Sequence, residues 1–122
     1  PGGCMTLTIY HNPRCSKSRK TLQLITDAGI DPAIIPYLES PPVAAEILEL
    51  AELLKTPVSG LLRDSENEFK QASDLPDLEN DAALANWLSA HPRVLQRPIV
   101  IDRESGKAVV GRPPENVQEL LR

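Results

Sequence analysis

Aromatic residues are scarce: one Trp, one Phe and two Tyr make up 3% of 122 residues. Surfaces that stack nucleic-acid bases need several such rings, so that function loses weight. Positive charge is not in excess either. The 13 Lys and Arg face 17 Asp and Glu, and a net charge of −4 argues against wholesale binding to a phosphate backbone. No apolar run is long enough to span a bilayer, so no membrane role is expected. Cysteine is nearly absent. Of Cys4 and Cys15, the first lies in Pro1-Gly-Gly-Cys4 ahead of Met5, which reads as a leftover leader with Met5 as the natural start. Cys4 is therefore a possible source of artefactual disulfides. One working cysteine, Cys15, cannot close an internal structural disulfide. Together with the lack of a signal peptide, this fits a reducing cytoplasm.

What is present describes an ordinary globular chain, 41% apolar and 25% charged, long enough for one domain with one core. Residues 5–122 are read as that single domain. The organising stretch is Tyr10-His-Asn-Pro-Arg-Cys-Ser-Lys-Ser-Arg19. Thr6 to Tyr10 alternates polar and apolar residues and predicts a strand. Asn12-Pro13 predicts a turn. Leu22, Ile25 and Ala28 then fall on one face of a helix that should stop near Gly29. Cys15 therefore stands at or near a helix N-terminus, where unpaired N–H groups and the helix dipole favour an anion. Arg14, Lys17, Arg19 and His11 add formal or potential positive charge nearby. These conditions lower a thiol's pKa and suit both a thiolate nucleophile and a bound oxyanion.

Downstream, Ala33-Ile-Ile35 and Tyr37-Leu38 suggest a second strand, which Pro36 demotes to an edge or a bulge. Strand, helix and strand in this order suggest a βαβ unit. Ser40 is a plausible N-cap for a helix carrying Ile47, Leu50, Ala51 and Leu54. A short helix follows Pro57 with Val58, Leu61 and Leu62. Residues 66–78 read as loop with a short helix. Asn80-Asp81 opens another helix with Leu84, Trp87 and Leu88 buried, stopped at His91-Pro92. Arg97 to Ile101 and Lys107 to Val110 pair as a hairpin. A final helix presents Val117, Leu120 and Leu121. The middle helices are read as an insertion in one fold, since they lack a complete pattern of faces of their own.

This order resembles a thioredoxin-like α/β fold: a mixed four-stranded sheet, βαβ then ββα, with an inserted helical segment. The motifs are more specific. Tyr10 to Arg19, Leu61-Leu-Arg63, Arg97-Pro-Ile-Val100 and Gly111-Arg-Pro-Pro-Glu115 resemble four segments of the arsenate reductase family that works with glutathione and glutaredoxin. They run in the family's order from Met5 onward. The resemblance implies that Cys15 is the nucleophile and that Arg63, Arg97 and Arg112 surround the substrate oxyanion. It implies that His11 assists the thiolate and that Pro98 is a cis proline facing the cysteine. Asn12 and Ser18 could support the thiolate by hydrogen bonds or cap the helix, with capping the simpler role. Two departures stand out. Ser16-Lys17 replaces the Gly-Thr of established arsenate reductases in the family. The chain also stops at Arg122, short of their C-terminal continuation, and so looks like the shorter, poorly characterised branch.

Three readings follow. The first is reduction of arsenate through a Cys15–arsenate adduct resolved by glutathione and glutaredoxin, with no bound cofactor and no metal. A lone cysteine cannot supply both electrons, which is the reason to expect an external thiol. The second is a glutathione-linked reductase of another substrate. The third is a non-enzymatic monothiol regulator that binds a protein such as RNA polymerase. Ser18 stands where related redox regulators carry the second cysteine of Cys-x-x-Cys, which weakens the third.

Overall fold

The computed structural model describes residues 7–121. The leader at 1–4, the start at Met5, the expected strand residue Thr6 and the final Arg122 lie outside the described residues. The chain gathers into two compact units, Pro1–Tyr37 with Arg97–Arg122, and Leu38–Gln96.

The first unit is built on a mixed four-stranded sheet. Its strands are β1 (Leu7–Tyr10), β2 (Ala33–Ile35), β3 (Ile99–Asp102) and β4 (Lys107–Val110), in the spatial order β2-β1-β3-β4. β1 runs parallel to β2 and antiparallel to β3, and β3 pairs antiparallel with β4. This is the βαβ and ββα order expected. The two central strands are buried at every position, whereas β2 and β4 are partly or fully exposed. That difference follows composition. Leu-Thr-Ile-Tyr and Ile-Val-Ile-Asp fill the middle of the sheet with β-branched and aromatic side chains, which suit a pleated, covered surface. β2 stops at Ile35, because Pro36 has no N–H to extend a ladder. Tyr37 and Leu38 consequently fall outside the strand, in the turn that follows.

Helix α1 (Ser16–Asp27) crosses from β1 to β2. Ile25 packs with Leu7, Ile9, Val100, Val117 and Leu120, and Leu22 lies against that cluster. Ala28 departs from the expected apolar stripe. It is the C-cap and is exposed, since the helix ends one residue before it. Gly29 then takes φ +82, the left-handed conformation anticipated at this helix end. The chain closes on a 3-10 turn (Pro114–Val117) and the one-turn helix α5 (Gln118–Leu121).

The second unit contains α2 (Ala44–Leu53), α3 (Asn67–Lys70) and α4 (Asp81–Ala90), with 3-10 turns at Val58–Leu61 and Pro92–Val94. Ser40 does not cap α2, whose N-cap is Val43. Ser40 and Pro41 each precede a proline, which disfavours helical backbone and delays the start. Asn80 does cap α4: its Oδ1 accepts the Ala83 N–H at 3.1 Å. Leu84, Trp87 and Leu88 are buried as the periodicity predicts. The Trp87 indole donates to Asp74 Oδ1 at 3.0 Å and stacks on the His91 ring, centroids 4.2 Å apart. Among the described residues, no helix is long and apolar enough to cross a membrane.

Candidate active site

The loop joining β1 to α1 is held almost entirely by its own backbone and short side chains. His11 N–H donates to Ile35 O at 2.9 Å, which continues the β1–β2 pairing into the loop. Asn12 Oδ1 accepts the Arg14 N–H at 3.0 Å, an Asx-type turn. Asn12 O accepts the Cys15 N–H at 3.0 Å. Cys15 is the N-cap of α1, with extended backbone at φ −92 and ψ 122, and its carbonyl accepts the Arg19 N–H at 3.0 Å. The half-buried thiol thus lies where the first turn of α1 leaves its N–H groups without helical partners.

Ser18 and Asn12 do not cap the helix. Ser18 is fully buried inside the first turn, and its Oγ accepts the Asn12 N–H at 3.0 Å while lying 2.6 Å from His11 Nδ1. It ties the loop to the helix through a buried polar triad. A cap needs a side chain outside the helix, whereas Ser18 is the third residue within it. His11 is itself buried, at 8% exposure. Burial and then the positive charge of Arg19 push its pKa below the ordinary value, so the imidazole favours its neutral form. Arg19 is held over the same loop by a 2.8 Å bond from Nη1 to Pro13 O. This influence on His11 was not anticipated. Spacing alone shows only a basic residue one turn into a helix.

Two arginines come from the same end of the sheet as this loop, since Tyr10 pairs with Ile99 and Ile99 with Val110. Arg97 precedes β3 and Arg112 follows β4, so the β3–β4 pairing brings them side by side. Arg112 Nε donates to Arg97 O at 2.8 Å, and Arg112 Nη2 lies 3.9 Å from Cys15 Sγ. The Arg97–Pro98 peptide is cis, as the resemblance implies, and so is Arg112–Pro113. Gly111 N–H donates to Pro98 O at 2.8 Å. A side chain at Gly111 would meet Thr21 Oγ1 at 2.5 Å and Pro98 Cγ at 2.8 Å. The glycine therefore lets the Arg112 turn seat against α1 and Pro98 together. A glycine beside the candidate arginine was the only sequence signal of that close packing.

The Cys15 thiol responds to its burial, to the N–H groups of the first helical turn and to Arg97. Burial of the sulfur pushes its pKa up. The N–H groups of Ser18 and Lys17, then the hydrogen bond and charge of Arg97, outweigh that, and the net shift is downward. Thiolate, two guanidinium groups and the N–H groups of the helix start form a compact setting for a nucleophile and a bound anion.

Arg63 belongs to the second unit. It is half-buried, its N–H donates to Val94 O at 2.6 Å, and its Nη1 lies 3.4 Å from Glu66 Oε1. The seven other residues singled out from the sequence, His11, Asn12, Cys15, Ser18, Arg97, Pro98 and Arg112, lie together in the first unit. Among the described residues, no group of three His, Cys, Asp or Glu side chains is placed to hold a metal ion.

A model of the ArsC family matches residues 10–120. An arsenate reductase of Neisseria meningitidis serogroup A is 40% identical over 117 residues, 94% of this chain and 97% of that one. An uncharacterised protein, YfgD, of Escherichia coli K12 is also 40% identical, over 114 residues, covering 93% of this chain and 94% of its own length. Among solved structures, an arsenate reductase from Vibrio cholerae superimposes with a TM-score of 0.84 at 40% identity, covering 95% of this chain and 98% of that one.

Proposed function

The chain belongs to the ArsC family, and on that premise we propose that it reduces arsenate to arsenite at Cys15. The observation that carries this reading is the convergence of Arg112 Nη2 on Cys15 Sγ at 3.9 Å, beside Arg97. Arsenate is a tetrahedral oxyanion, and an arginine's planar fork pairs with two of its oxygens at once. Arg97 and Arg112 neutralise charge that would otherwise repel a thiolate from an anion. The resemblance of Leu61-Leu-Arg63 to the family's second segment implies a role in oxyanion binding for Arg63 as well.

In the proposed reaction Cys15 sulfur attacks arsenic, an As–O bond breaks, and the oxygen leaves as water. The result is a covalent Cys15–As(V) adduct. A second thiol, glutathione in this reading, attacks the Cys15 sulfur. The S–As bond breaks with its electron pair remaining on arsenic, which leaves as As(III) arsenite. Cys15 is then a mixed disulfide with glutathione, and a further thiol, delivered by glutaredoxin, releases it as a thiol again. Two thiols lose one electron each and arsenic gains both. The buried His11–Ser18–Asn12 triad holds the loop that carries the sulfur, and the family resemblance gives His11 the role of assisting the thiolate. A cytoplasmic setting, where reduced thiols are plentiful, suits this cycle.

The reading is tested by coupling arsenate-dependent oxidation of NADPH to glutathione, glutaredoxin and glutathione reductase. The protein should carry Cys4→Ser, with Cys15→Ser added for comparison. Turnover should be present in the first and absent in the second. Absence in both, with Cys15 still reacting rapidly with iodoacetamide, would remove arsenate as substrate and favour the glutathione-linked reductase of another oxyanion.

A further inference from the structure

The catalytic reading uses Arg97 and Arg112 but leaves a second set of cations unexplained. Arg14, Lys17, Arg19 and Lys20 fall within seven positions around Cys15, and all four are exposed. No acidic residue occurs from His11 to Thr26. Among the described residues, none of the four forms an ion pair. The first turn of α1 holds no acid and takes its charge from Lys17 instead. Such an arrangement runs against local stability twice. The positive end of a helix dipole disfavours cations, and Lys17 and Lys20, three positions apart on one helix face, repel each other. Departures of this kind concentrate where function demands them. The buried contacts of the site do not require them. Arg19 alone has a structural bond, to Pro13 O at 2.8 Å, which fixes its charge on the rim of the loop.

We propose that Arg14, Lys17, Arg19 and Lys20, the exposed cations that flank Cys15, form a recognition crescent that selects a small carboxylate-bearing thiol for the discharge of Cys15. The proposal rests on the reading that an external thiol discharges Cys15, and it adds which thiols are admitted and by which residues. The attacking group is a thiolate and its target an anionic adduct, so approach is opposed by like charge. Exposed cations on either side of Cys15 in the chain offset that repulsion and hold carboxylates at the entrance to the site. The size of the patch favours a small ligand. A stable protein interface commonly uses about 20–30 residues on each side, whereas the crescent has four cationic side chains, one in the loop before Cys15 and three in the first turn or so of α1. Glutathione, with two carboxylates, has the required chemistry; 2-mercaptoethanol, with none, does not.

The test needs no arsenate, so its outcome is independent of whether arsenate is the substrate. Cys4→Ser protein is treated with methyl methanethiosulfonate to place a neutral methylthio group on Cys15. Loss of that group to glutathione or to 2-mercaptoethanol is followed by intact mass. In each case the incoming thiolate forms one S–S bond as the existing one breaks, and the departing sulfur leaves as a thiolate. The ratio of the two rates cancels any change in Cys15 itself. In Arg14→Gln/Lys17→Gln/Lys20→Gln protein the glutathione to 2-mercaptoethanol ratio should fall about three- to tenfold at low ionic strength. In the parent protein, added NaCl should lower the same ratio without any substitution. A ratio indifferent to both the substitutions and the salt overturns the proposal. So does an unchanged ratio accompanied by slower discharge by glutaredoxin alone, because the crescent would then serve an acidic protein.

Discussion

Replacing Gly111 with Ala probes how tightly the site is assembled. The added methyl would lie 2.5 Å from Thr21 Oγ1, 2.8 Å from Pro98 Cγ and 3.2 Å from Thr21 Cγ2. None of these neighbours yields easily. Thr21 is fully buried, and its hydroxyl donates to Lys17 O at 2.8 Å within the first turns of α1. Pro98 is buried and bonded through its carbonyl to Gly111 itself. Overpacking of this kind costs about 1–3 kcal/mol. A loss of about 2 kcal/mol lowers Tm by roughly 8 °C in a chain of this size. Relief by shifting the Arg112 turn would lengthen the 2.8 Å bond from Arg112 Nε to Arg97 O and draw Nη2 away from Cys15 Sγ. A misplacement near 1 Å costs on the order of 10²-fold in rate. Thermal unfolding and arsenate kcat/KM should therefore fall together in Gly111→Ala. Adding Thr21→Ala, which removes two of the three contacts, should recover part of both losses, with a coupling above about 0.5 kcal/mol. A Gly111→Ala protein as stable and as active as the parent would refute the close-packing argument.

Other outcomes follow from the same geometry. Arg97→Ala should raise the Cys15 pKa, seen as slower iodoacetamide alkylation at mildly acidic pH, because it removes a hydrogen bond and a charge that favour the thiolate. Since the folded-state pKa lies below the ordinary 9.0, this thiolate adds stability at high pH that is lost as pH falls through the folded value, and Cys15→Ser should flatten that slope in urea titrations. His11 is also held below its ordinary 6.5, by burial first and Arg19 second, so the folded state resists its protonation and loses stability as pH drops below that value. Arg19→Gln should move the His11 imidazole titration upward by NMR, and no movement would refute the Arg19 contribution. Asn80→Ala should cost about 0.5–2 kcal/mol in urea unfolding, because it leaves the Ala83 N–H without its cap.

Much of the fold was legible because apolar patterning and punctuation agree. Thr6 to Tyr10 read as a strand with one buried face, although Leu7 to Tyr10 are buried at every position, Arg97 to Ile101 as a buried strand, Gly29 as a helix stop and Asn80 as a helix start. The errors came where two local signals compete. Ser40 has the chemistry of a cap, but the two following prolines hold the chain extended until Val43. Ala28 has apolar character but sits one position past the helix. At the site, a resemblance could mark Cys15, Arg97 and Arg112, since each lies in a short distinctive motif. It could not reveal that Ser18 bonds the His11 ring, that Arg19 bears on that ring, or that Gly111 meets Thr21. Those facts depend on how the loop, α1 and the β3–β4 hairpin pack, and no sequence spacing encodes them.

The central claim is that an external thiol discharges a Cys15–arsenic adduct and leaves that thiol on Cys15. Cys4→Ser protein should be mixed with arsenate and glutathione, without glutaredoxin, quenched with acid, and assayed for both arsenite and protein mass. The account predicts a single glutathione on Cys15, appearing only with arsenate and matching the arsenite formed one for one in the first turnover. Arsenite formed at the same rate by the Cys4→Ser/Cys15→Ser protein, or formed while Cys15 stays unmodified, would contradict it.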